Sequence, residues 1–325
     1  MNRWGDPRFR PVQLPDRYAE AATGPVAYLP VARGDETLGY LWASDVDGAA
    51  GWVERGAAGP AGWNAGTPWL RRLSAAKAAG RAPGEALREL AELPDDPRAG
   101  RAAAAPVRAL GSLAELIELA GPVGLPATPV EPAAPPRTGS PPAGLNTVQQ
   151  AAYDYTRAPD VHNGLLQDGD PPALLARLLA DPARAADLAG IFGSPPRYGD
   201  FVERYRLLDQ AVSAPLPESL ETLRGVEHIR HVAGGVADVR ALAGSTHTEP
   251  GYLSVSLGAT PAYHTGCWLR LVAPKGTRSL WMGRQSHHPN ERELILPRGL
   301  TIRIDDVYLR DDRVQLAATI VSAAT

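Results

Sequence analysis

The sequence contains few of the residues that build disulfide-rich domains or basic surfaces. A single cysteine, Cys267, occurs in 325 residues, which excludes an intramolecular disulfide framework and a cysteine metal cluster. Lysine occurs only at Lys77 and Lys275, and the formal net charge is −3. Nucleic-acid binding requires a broad basic surface, so we expect no nucleic-acid partner.

Long hydrophobic runs are also missing. No uncharged apolar stretch approaches the roughly 20 residues that a membrane helix needs, so we expect no membrane span. The first seven residues lack the apolar core of a signal peptide. We therefore expect a soluble protein made in the cytoplasm, and any export would follow a route without a cleaved signal peptide. No Gly-rich phosphate loop or Rossmann fingerprint is evident.

Proline is abundant, and eight prolines lie between Gly121 and Gly144. Such a segment favours extended conformations and acts as a semi-rigid spacer. We predict a small Trp-rich N-terminal domain over residues 1–121, a Pro-rich linker over 122–143 and a second domain over 144–325. Five of the seven tryptophans lie in the first part, which indicates either a small core or a partner surface.

Hydrophobic patterns predict the elements of both parts. In the first part they indicate a hairpin of strands at 26–31 and 37–43, then Gly- and Trp-rich loops, then helices near 68–79, 83–93 and 112–119. In the second part, helices are predicted at 146–157, 172–180, 182–191 and 198–212, with Asn146 as an N-cap. Strands follow at 221–226, 252–257, 267–272, 278–282, 293–296, 300–304 and 313–321. Helices followed by strands indicate α+β architecture rather than alternating βαβ units.

Two carboxylates, Glu291 and Glu293, begin an apolar, β-prone run. Side chains alternate along a strand, so this spacing predicts that both project to one side and that Arg292 projects to the other. Two carboxylates facing one cleft can share acid–base work and the stabilisation of a cation at a sugar carbon. Alone, a Glu-x-Glu pair is more often polar surface, and upstream motifs give it weight.

Those motifs occur in a fixed order. Leu223-Arg224-Gly225-Val226 ends one predicted strand, Ser254-Val255-Ser256 lies in another, and Glu291-x-Glu293 follows. Together with Asn163-Gly-Leu-Leu-Gln167 upstream, this set resembles the catalytic domain of the bacterial ADP-ribosyltransferase exotoxins, the Arg-Ser-Glu class, over about residues 144–324. The resemblance implies two packed, mainly antiparallel sheets flanked by N-terminal helices, beside a small N-terminal α+β domain. It also implies NAD+ as a substrate, without a metal.

The resemblance assigns expected binding roles to individual residues. Arg224, followed by Gly225, corresponds to the arginine that binds the NAD+ phosphates, for which its rigid donor fork is suited. Ser254 and Ser256 correspond to the outer serines of the family's Ser-Thr-Ser motif. Tyr263 falls where relatives place a phenylalanine that stacks on nicotinamide, although a core or surface tyrosine is an equal alternative.

Three further positions complete the expected site. Asn163 corresponds to a residue near the dinucleotide, whereas Gln167 replaces the family's arginine. Glu293 corresponds to the catalytic glutamate, with Ser254 supporting it. Glu291 corresponds to the residue that distinguishes arginine-modifying members from those that modify asparagine or guanine. His287 and His288 stand where an aromatic residue often contacts the acceptor, and a solvated loop is the alternative.

The sequence therefore predicts an NAD+-dependent mono-ADP-ribosyltransferase, acting as a toxin or effector. It would transfer ADP-ribose to an arginine of a target protein and release nicotinamide. The alternatives are an NAD+ glycohydrolase and a non-enzymatic binding module of the same fold. Residues 1–121 are interpreted as a regulatory or delivery unit for a partner or an export machinery.

Overall fold

The computed structural model describes residues 6–103, 108–123, 142–226, 238–262 and 267–322. Tyr263 and most of the predicted linker lie outside the described residues.

A five-stranded sheet forms the centre of the N-terminal part. After β1 (Arg10–Gln13), which pairs elsewhere, the chain forms β2 (Val26–Arg33), β3 (Glu36–Ser44), β4 (Ala49–Glu54), β5 (Arg101–Ala102) and β6 (Arg108–Leu110). The order is β4-β3-β2-β5, and β6 also pairs with β2. Gly34, with a φ of 59°, closes the predicted β2–β3 hairpin because glycine adopts this left-handed conformation without a steric cost.

Three helices accompany this sheet: α1 (Gly59–Ala78), α2 (Pro83–Ala91) and α3 (Leu113–Ala120). The helix predicted from residue 68 begins at Gly59 instead, and Pro68 lies inside it. Proline is typical of a first helical turn, but tertiary packing extends this helix, since Trp63 and Trp69 are both buried. Strand β4 was predicted as loop, because its short Ala-Gly-Trp sequence lacks a clear period of two.

Five helices open the second part: α4 (Thr147–Arg157), α5 (Pro159–Gln167), α6 (Pro171–Leu179), α7 (Pro182–Phe192) and α8 (Tyr198–Ala211). Asn146 is the N-cap of α4, and its side chain accepts a hydrogen bond from Gln149 N at 2.9 Å. Helix α5 was not predicted. On α8, Phe201 is buried and Val202 is 49% exposed, because successive residues lie about 100° apart around a helix.

The remaining strands are β7 (Ala214–Pro215), β8 (Leu220–Val226), β9 (Thr246–Glu249), β10 (Leu253–Ser256), β11 (Cys267–Ala273), β12 (Arg278–Trp281), β13 (Glu293–Leu296), β14 (Leu300–Arg310) and β15 (Arg313–Ser322). They form the order β1-β9-β14-β15-β11-β8-β10-β13-β12-β7. Strand β11 runs parallel to β15, and the other pairs are antiparallel.

Strands β8 and β10 meet at the single pair Leu223–Ser256. This junction divides the ten strands into a six-stranded part and a four-stranded part. The predicted α+β class, with helices preceding two mainly antiparallel groups of strands, is confirmed.

N-terminal residues complete two edges of this large sheet. Strand β1 pairs with β9, and β9 pairs with β14 only over residues 300–303. Further along β14, side chains of α1 take over. Asn64 Nδ2 donates to Leu309 O at 2.9 Å, and Leu309 N donates back to Asn64 Oδ1 at 2.6 Å. Thr67 Oγ1 donates to Val307 O at 2.5 Å. The two predicted domains are therefore in direct contact.

Candidate active site

A cavity of about 70 Å³ lies where β8, β10 and β13 meet. Thr156 and Pro159, at the junction of α4 and α5, line its helical side, and His288 lies at the loop side. The fold brings to this cavity six of the residues predicted from the sequence: Arg224, Gly225, Ser254, Ser256, Glu291 and Glu293.

Glu293 is the first residue of β13, and its carboxylate is held at both oxygens. Ser254 Oγ donates to Oε1 at 2.5 Å, and Ser286 Oγ donates to Oε2 at 2.6 Å. Pairing of Ser254 with Ile295 and of Ser256 with Glu293 places β10 directly beside β13. Burial raises the pKa of Glu293, whereas the two hydroxyl hydrogen bonds and the charge of Arg224 oppose that rise.

Glu291 reaches the cavity from a turn rather than from a strand. It ends a 3₁₀ turn, Pro289–Glu291, and Arg292 then adopts a left-handed conformation with φ of 50°. The predicted alternation along one strand is therefore wrong for Glu291, because the left-handed conformation of Arg292 interrupts the extended backbone between the two glutamates. A non-glycine residue in this conformation costs roughly 1–2 kcal/mol, and the turn allows both carboxylates to line one cavity.

The two carboxylates have different surroundings. Burial raises the pKa of Glu291 to about 7, with a further contribution from the negative charge of Glu293 and an opposing one from Arg224. His288 Nδ1 lies 3.6 Å from Glu291 Oε1, and burial lowers the pKa of His288. A carboxyl group that titrates near neutrality suits proton exchange or the binding of a cationic group.

Arg224 lies on β8, and its Nη1 donates to Ser254 O at 2.5 Å. The guanidinium thus lies beside the strand that supports Glu293. Ser256 Oγ accepts a hydrogen bond from Ala262 N at 3.0 Å, which holds the segment that leads towards Tyr263. A guanidinium that can bind phosphate and a fixed carboxylate that can stabilise a sugar cation are therefore adjacent.

Ser286 contacts the candidate catalytic carboxylate, and the sequence patterns did not indicate it. It is fully buried, and besides binding Glu293 its Oγ accepts a hydrogen bond from His288 N at 3.0 Å. His287 N donates to Thr156 Oγ1 at 2.9 Å, so two neighbouring contacts anchor this loop. A serine seven positions before a glutamate gives no periodic signal, and only its position in the loop before the carboxylate pair could have indicated it.

Asn163 does not line the cavity. It is buried in α5, where Nδ2 donates to Tyr252 O at 2.9 Å and Tyr252 N donates to Oδ1 at 2.9 Å. Nδ2 also lies 3.2 Å from Tyr155 OH. Asn163 therefore holds the backbone two residues before Ser254, and its contact with a dinucleotide stays a prediction.

The described part of the chain contains neither a metal-binding group of side chains nor a membrane-spanning helix. Its His, Cys, Asp and Glu side chains include no group of three or more placed to hold a metal ion. Within the same residues, no helix combines the length and apolar character needed to cross a membrane.

The fold and the cavity are those of an α+β protein with a buried carboxylate pair beside an arginine and a serine. The family model described as ADP-ribosyltransferase exoenzyme matches residues 204–323. This match includes Arg224, Ser254, Glu291 and Glu293, and it confirms the resemblance to the bacterial ADP-ribosyltransferase toxins over that region.

Solved structures of such toxins are similar to this chain. Plx2a from Paenibacillus larvae is 18% identical, with a TM-score of 0.42, over 55% of this chain and 87% of that chain. The C3 exoenzyme of Clostridium limosum is 18% identical, with a TM-score of 0.42, over 55% and 87%. C3stau2 from S. aureus, solved with NAD, is 20% identical, with a TM-score of 0.41, over 55% and 89%. The comparison with curated proteins gives no match.

Proposed function

We propose that this protein is an NAD+-dependent mono-ADP-ribosyltransferase that modifies an arginine of a target protein and releases nicotinamide. The observation that carries the proposal is the carboxylate of Glu293, held by Ser254 and Ser286 in a cavity shared with Glu291 and Arg224. The donor set fits NAD+, because a guanidinium suits the diphosphate and a fixed carboxylate suits a ribose cation.

Glu293 acts on the bond between nicotinamide and ribose. As this bond breaks, its electron pair leaves with nicotinamide, and positive charge develops on the ribose. The carboxylate stabilises that charge, and Ser254 and Ser286 keep it oriented. Arg224 binds the diphosphate beside Gly225. Ser256, Tyr263 and Asn163 are assigned to the dinucleotide side of the site as part of this proposal.

Glu291 holds the acceptor. An ionised carboxylate at this position attracts a guanidinium, whose high pKa makes deprotonation in solution difficult. A guanidinium nitrogen then forms the new bond to the ribose carbon, and the proton lost from that nitrogen passes to Glu291. The pKa of Glu291 near 7 supports this role, because the group can both bind a cation and accept a proton at neutral pH.

The proposal is tested by incubating the full chain with labelled NAD+ and candidate target proteins. Glu293→Gln should lower transfer by at least about 100-fold, since removal of one charge-stabilising group typically costs this much. Glu36→Gln, at the exposed start of β3, is the matched control. Full activity of Glu293→Gln would refute the assignment of Glu293. Mass spectrometry of the product identifies the acceptor, and a modified asparagine would refute the arginine assignment.

An NAD+ glycohydrolase would use the same cavity with water as the acceptor. Glu291→Gln separates the two activities, because it removes the carboxylate that holds the acceptor and leaves Glu293 in place. We expect loss of transfer with residual hydrolysis of NAD+. A parallel loss of both would contradict the division of roles. Measurable turnover of NAD+ would eliminate a non-enzymatic binding module.

We also propose that residues 1–121 bind a partner, such as an export machinery. A cavity of about 270 Å³ between the edge strand β4, α1 and α3 supports this proposal, with Trp42 and Leu73 among its lining residues. Ile117, 54% exposed at its rim, is the residue to change. Ile117→Asp should reduce export or partner binding without altering NAD+ turnover, and unchanged export and binding would contradict the proposal.

A further inference from the structure

The first described residues of the chain form an edge strand of the sheet that carries the candidate site. We call Asp6–Gln13 the N-terminal strap. Its strand β1 pairs with β9 through Arg10–Thr248, Pro11–His247 and Gln13–Thr246. Phe9 is 3% exposed and packs in the core of the large sheet. The strap is therefore attached by both backbone pairing and a buried aromatic side chain.

The strap is also attached to a buried carboxylate. Arg8 N donates to Glu249 Oε2 at 2.6 Å, and Glu249 is 1% exposed. The other oxygen, Oε1, accepts from Gln167 Nε2 at 3.0 Å and from Gly251 N at 2.8 Å. Glu249 thus joins the strap, the end of α5 and the turn before β10.

Gln167 gives the strap a second attachment. Arg10 Nη2 donates to Gln167 O at 2.9 Å, and Gln167 Nε2 also lies 3.4 Å from Asp6 O. The residue that replaces the family's arginine is therefore engaged with the strap and with Glu249. This engagement explains why a neutral amide, which can donate to a carboxylate and a carbonyl together, suits position 167.

Contacts continue from Glu249 to the candidate site. Gly251 packs so closely that a Cβ there would lie 2.7 Å from Asn163 Oδ1. Asn163 in turn holds the backbone N–H and carbonyl of Tyr252. Two residues later, Ser254 donates to Glu293. A displacement of the strap would act on Ser254 through this buried series of hydrogen bonds and packing contacts.

We propose that the N-terminal strap is a working part of the candidate active site and that Glu249 is the positioning residue through which it holds the segment bearing Ser254. The activity measurement rests on the proposed NAD+ chemistry, whereas the structural measurement does not. Removal of a delivery unit joined only by a linker would leave the site unchanged. Removal of the strap should alter the site.

Glu249→Gln is the sharpest variant because it keeps the shape of the side chain. An amide has one acceptor oxygen and one NH2 group. Both oxygens of Glu249 accept hydrogen bonds from N–H groups, so in the variant the NH2 group would face at least one N–H donor and could not accept from it. We expect kcat for NAD+ turnover to fall roughly ten- to a hundredfold, since a misplacement of a reacting group by about 1 Å can cost this much. KM should change little, because Arg224 is intact. Glu36→Gln is the control, and an unchanged kcat in folded Glu249→Gln would overturn the proposal.

Hydrogen–deuterium exchange of residues 250–256 provides a test that needs no activity. Glu249→Gln and a chain lacking residues 1–13 should both exchange faster there, whereas a chain lacking residues 1–5 should match the full chain. Unchanged exchange in Glu249→Gln would overturn the proposal even if the truncated chain fails to fold. Faster exchange in a protein that never cleaves NAD+ would support the strap and refute the proposed function instead.

Discussion

The carboxylate of Glu293 is held by hydrogen bonds from two serines, and only one of these serines belongs to a recognisable motif. Ser254 lies on β10 and donates to Glu293 on the neighbouring strand β13, whereas Ser286 donates from the loop before the glutamates. A buried carboxylate without enough donors would retain its proton more readily. The two hydroxyl hydrogen bonds therefore favour the ionised form of Glu293 and oppose the burial that raises its pKa.

Ser286→Ala should lower NAD+ turnover by about tenfold or more, because one oxygen of a buried carboxylate loses its hydroxyl donor and the side chain is less fixed. Burial already raises the pKa of Glu293, and loss of this hydrogen bond should raise it further. The acid limb of the rate profile should therefore move to higher pH. Turnover is measured across pH with Ser219→Ala as a control on an exposed loop, and an unchanged profile would contradict the role.

Glu291 should make transfer depend on pH. Its pKa is raised from 4.5 to about 7, so it carries a proton in the folded protein at a pH where it would be ionised in the unfolded chain. Ionisation of Glu291 therefore opposes folding, and its destabilising effect grows as the pH rises from 4.5 to about 7. Transfer, which uses the ionised form, should instead increase through an apparent pKa near that value.

The measurement is kcat/KM for the acceptor protein between about pH 5 and 9, since this ratio reports the ionisation of the free enzyme. Glu291→Gln should reduce transfer at every pH, so that no limb near neutrality is left, and should also remove the corresponding fall in the free energy of unfolding. A limb that survives in Glu291→Gln would assign it to another group.

At the scale of elements, the sequence predicted those with a clear apolar run, a periodic apolar pattern or a recognisable helix N-cap. Strands β11, β13 and β15 and helices α4 and α7 lie within one or two residues of their predicted bounds. Strand β14 continues to Arg310, well past its predicted end at residue 304. Strands β1, β4, β5, β6, β7 and β9 and helix α5 were missed. Each of the missed elements is short and carries polar or small residues. Its own hydrophobic pattern is therefore weak, and its position depends on neighbouring elements.

Thr67→Val tests how α1 closes the edge of β14. Thr67 is fully buried, and its Oγ1 donates to Val307 O. The variant keeps the β-branched shape and leaves Val307 O with Arg98 Nη2, at 3.0 Å, as its remaining side-chain donor. The free energy of unfolding should therefore fall by about 0.5–1.5 kcal/mol, the usual contribution of one hydrogen bond. Chemical denaturation measures this change. Thr37→Val, on the partly exposed start of β3, should be close to neutral, and equal effects of the two would contradict the edge contact.

For the whole molecule, the N-terminal part contributes to the core beneath the large sheet. Phe9 and Trp63 pack there with Leu300 and Val307 from β14. Arg240, 5% exposed, forms ion pairs with Glu54 and with Asp238 and therefore connects β4 to the second part. The division at the Pro-rich segment stays a proposal about chain organisation, and these contacts are incompatible with two independently moving units.

A fragment of residues 144–325 should therefore be much less stable than the full chain. Burial of a Phe side chain alone contributes about 1.5–3 kcal/mol, and the fragment also loses the hydrogen bonds at two sheet edges. Denaturant unfolding of the fragment, the full chain and a chain lacking residues 1–5 measures the effect. A fragment that unfolds at the same denaturant concentration as the full chain would contradict it.

The α+β class and the order of Arg224, Ser254 and Glu293 could be predicted without the structure, because they depend on local pattern and on residue types suited to the proposed chemistry. Only the tertiary structure shows that Glu291 reaches the cavity from a turn followed by left-handed Arg292, that Ser286 donates to Glu293, and that Glu249 contacts both the strap and the turn before β10. The contacts of Glu249 join segments far apart in the chain, whereas Ser286 and Glu293 are only seven residues apart. In both cases burial, rather than a local sequence preference, sets where the polar groups find partners.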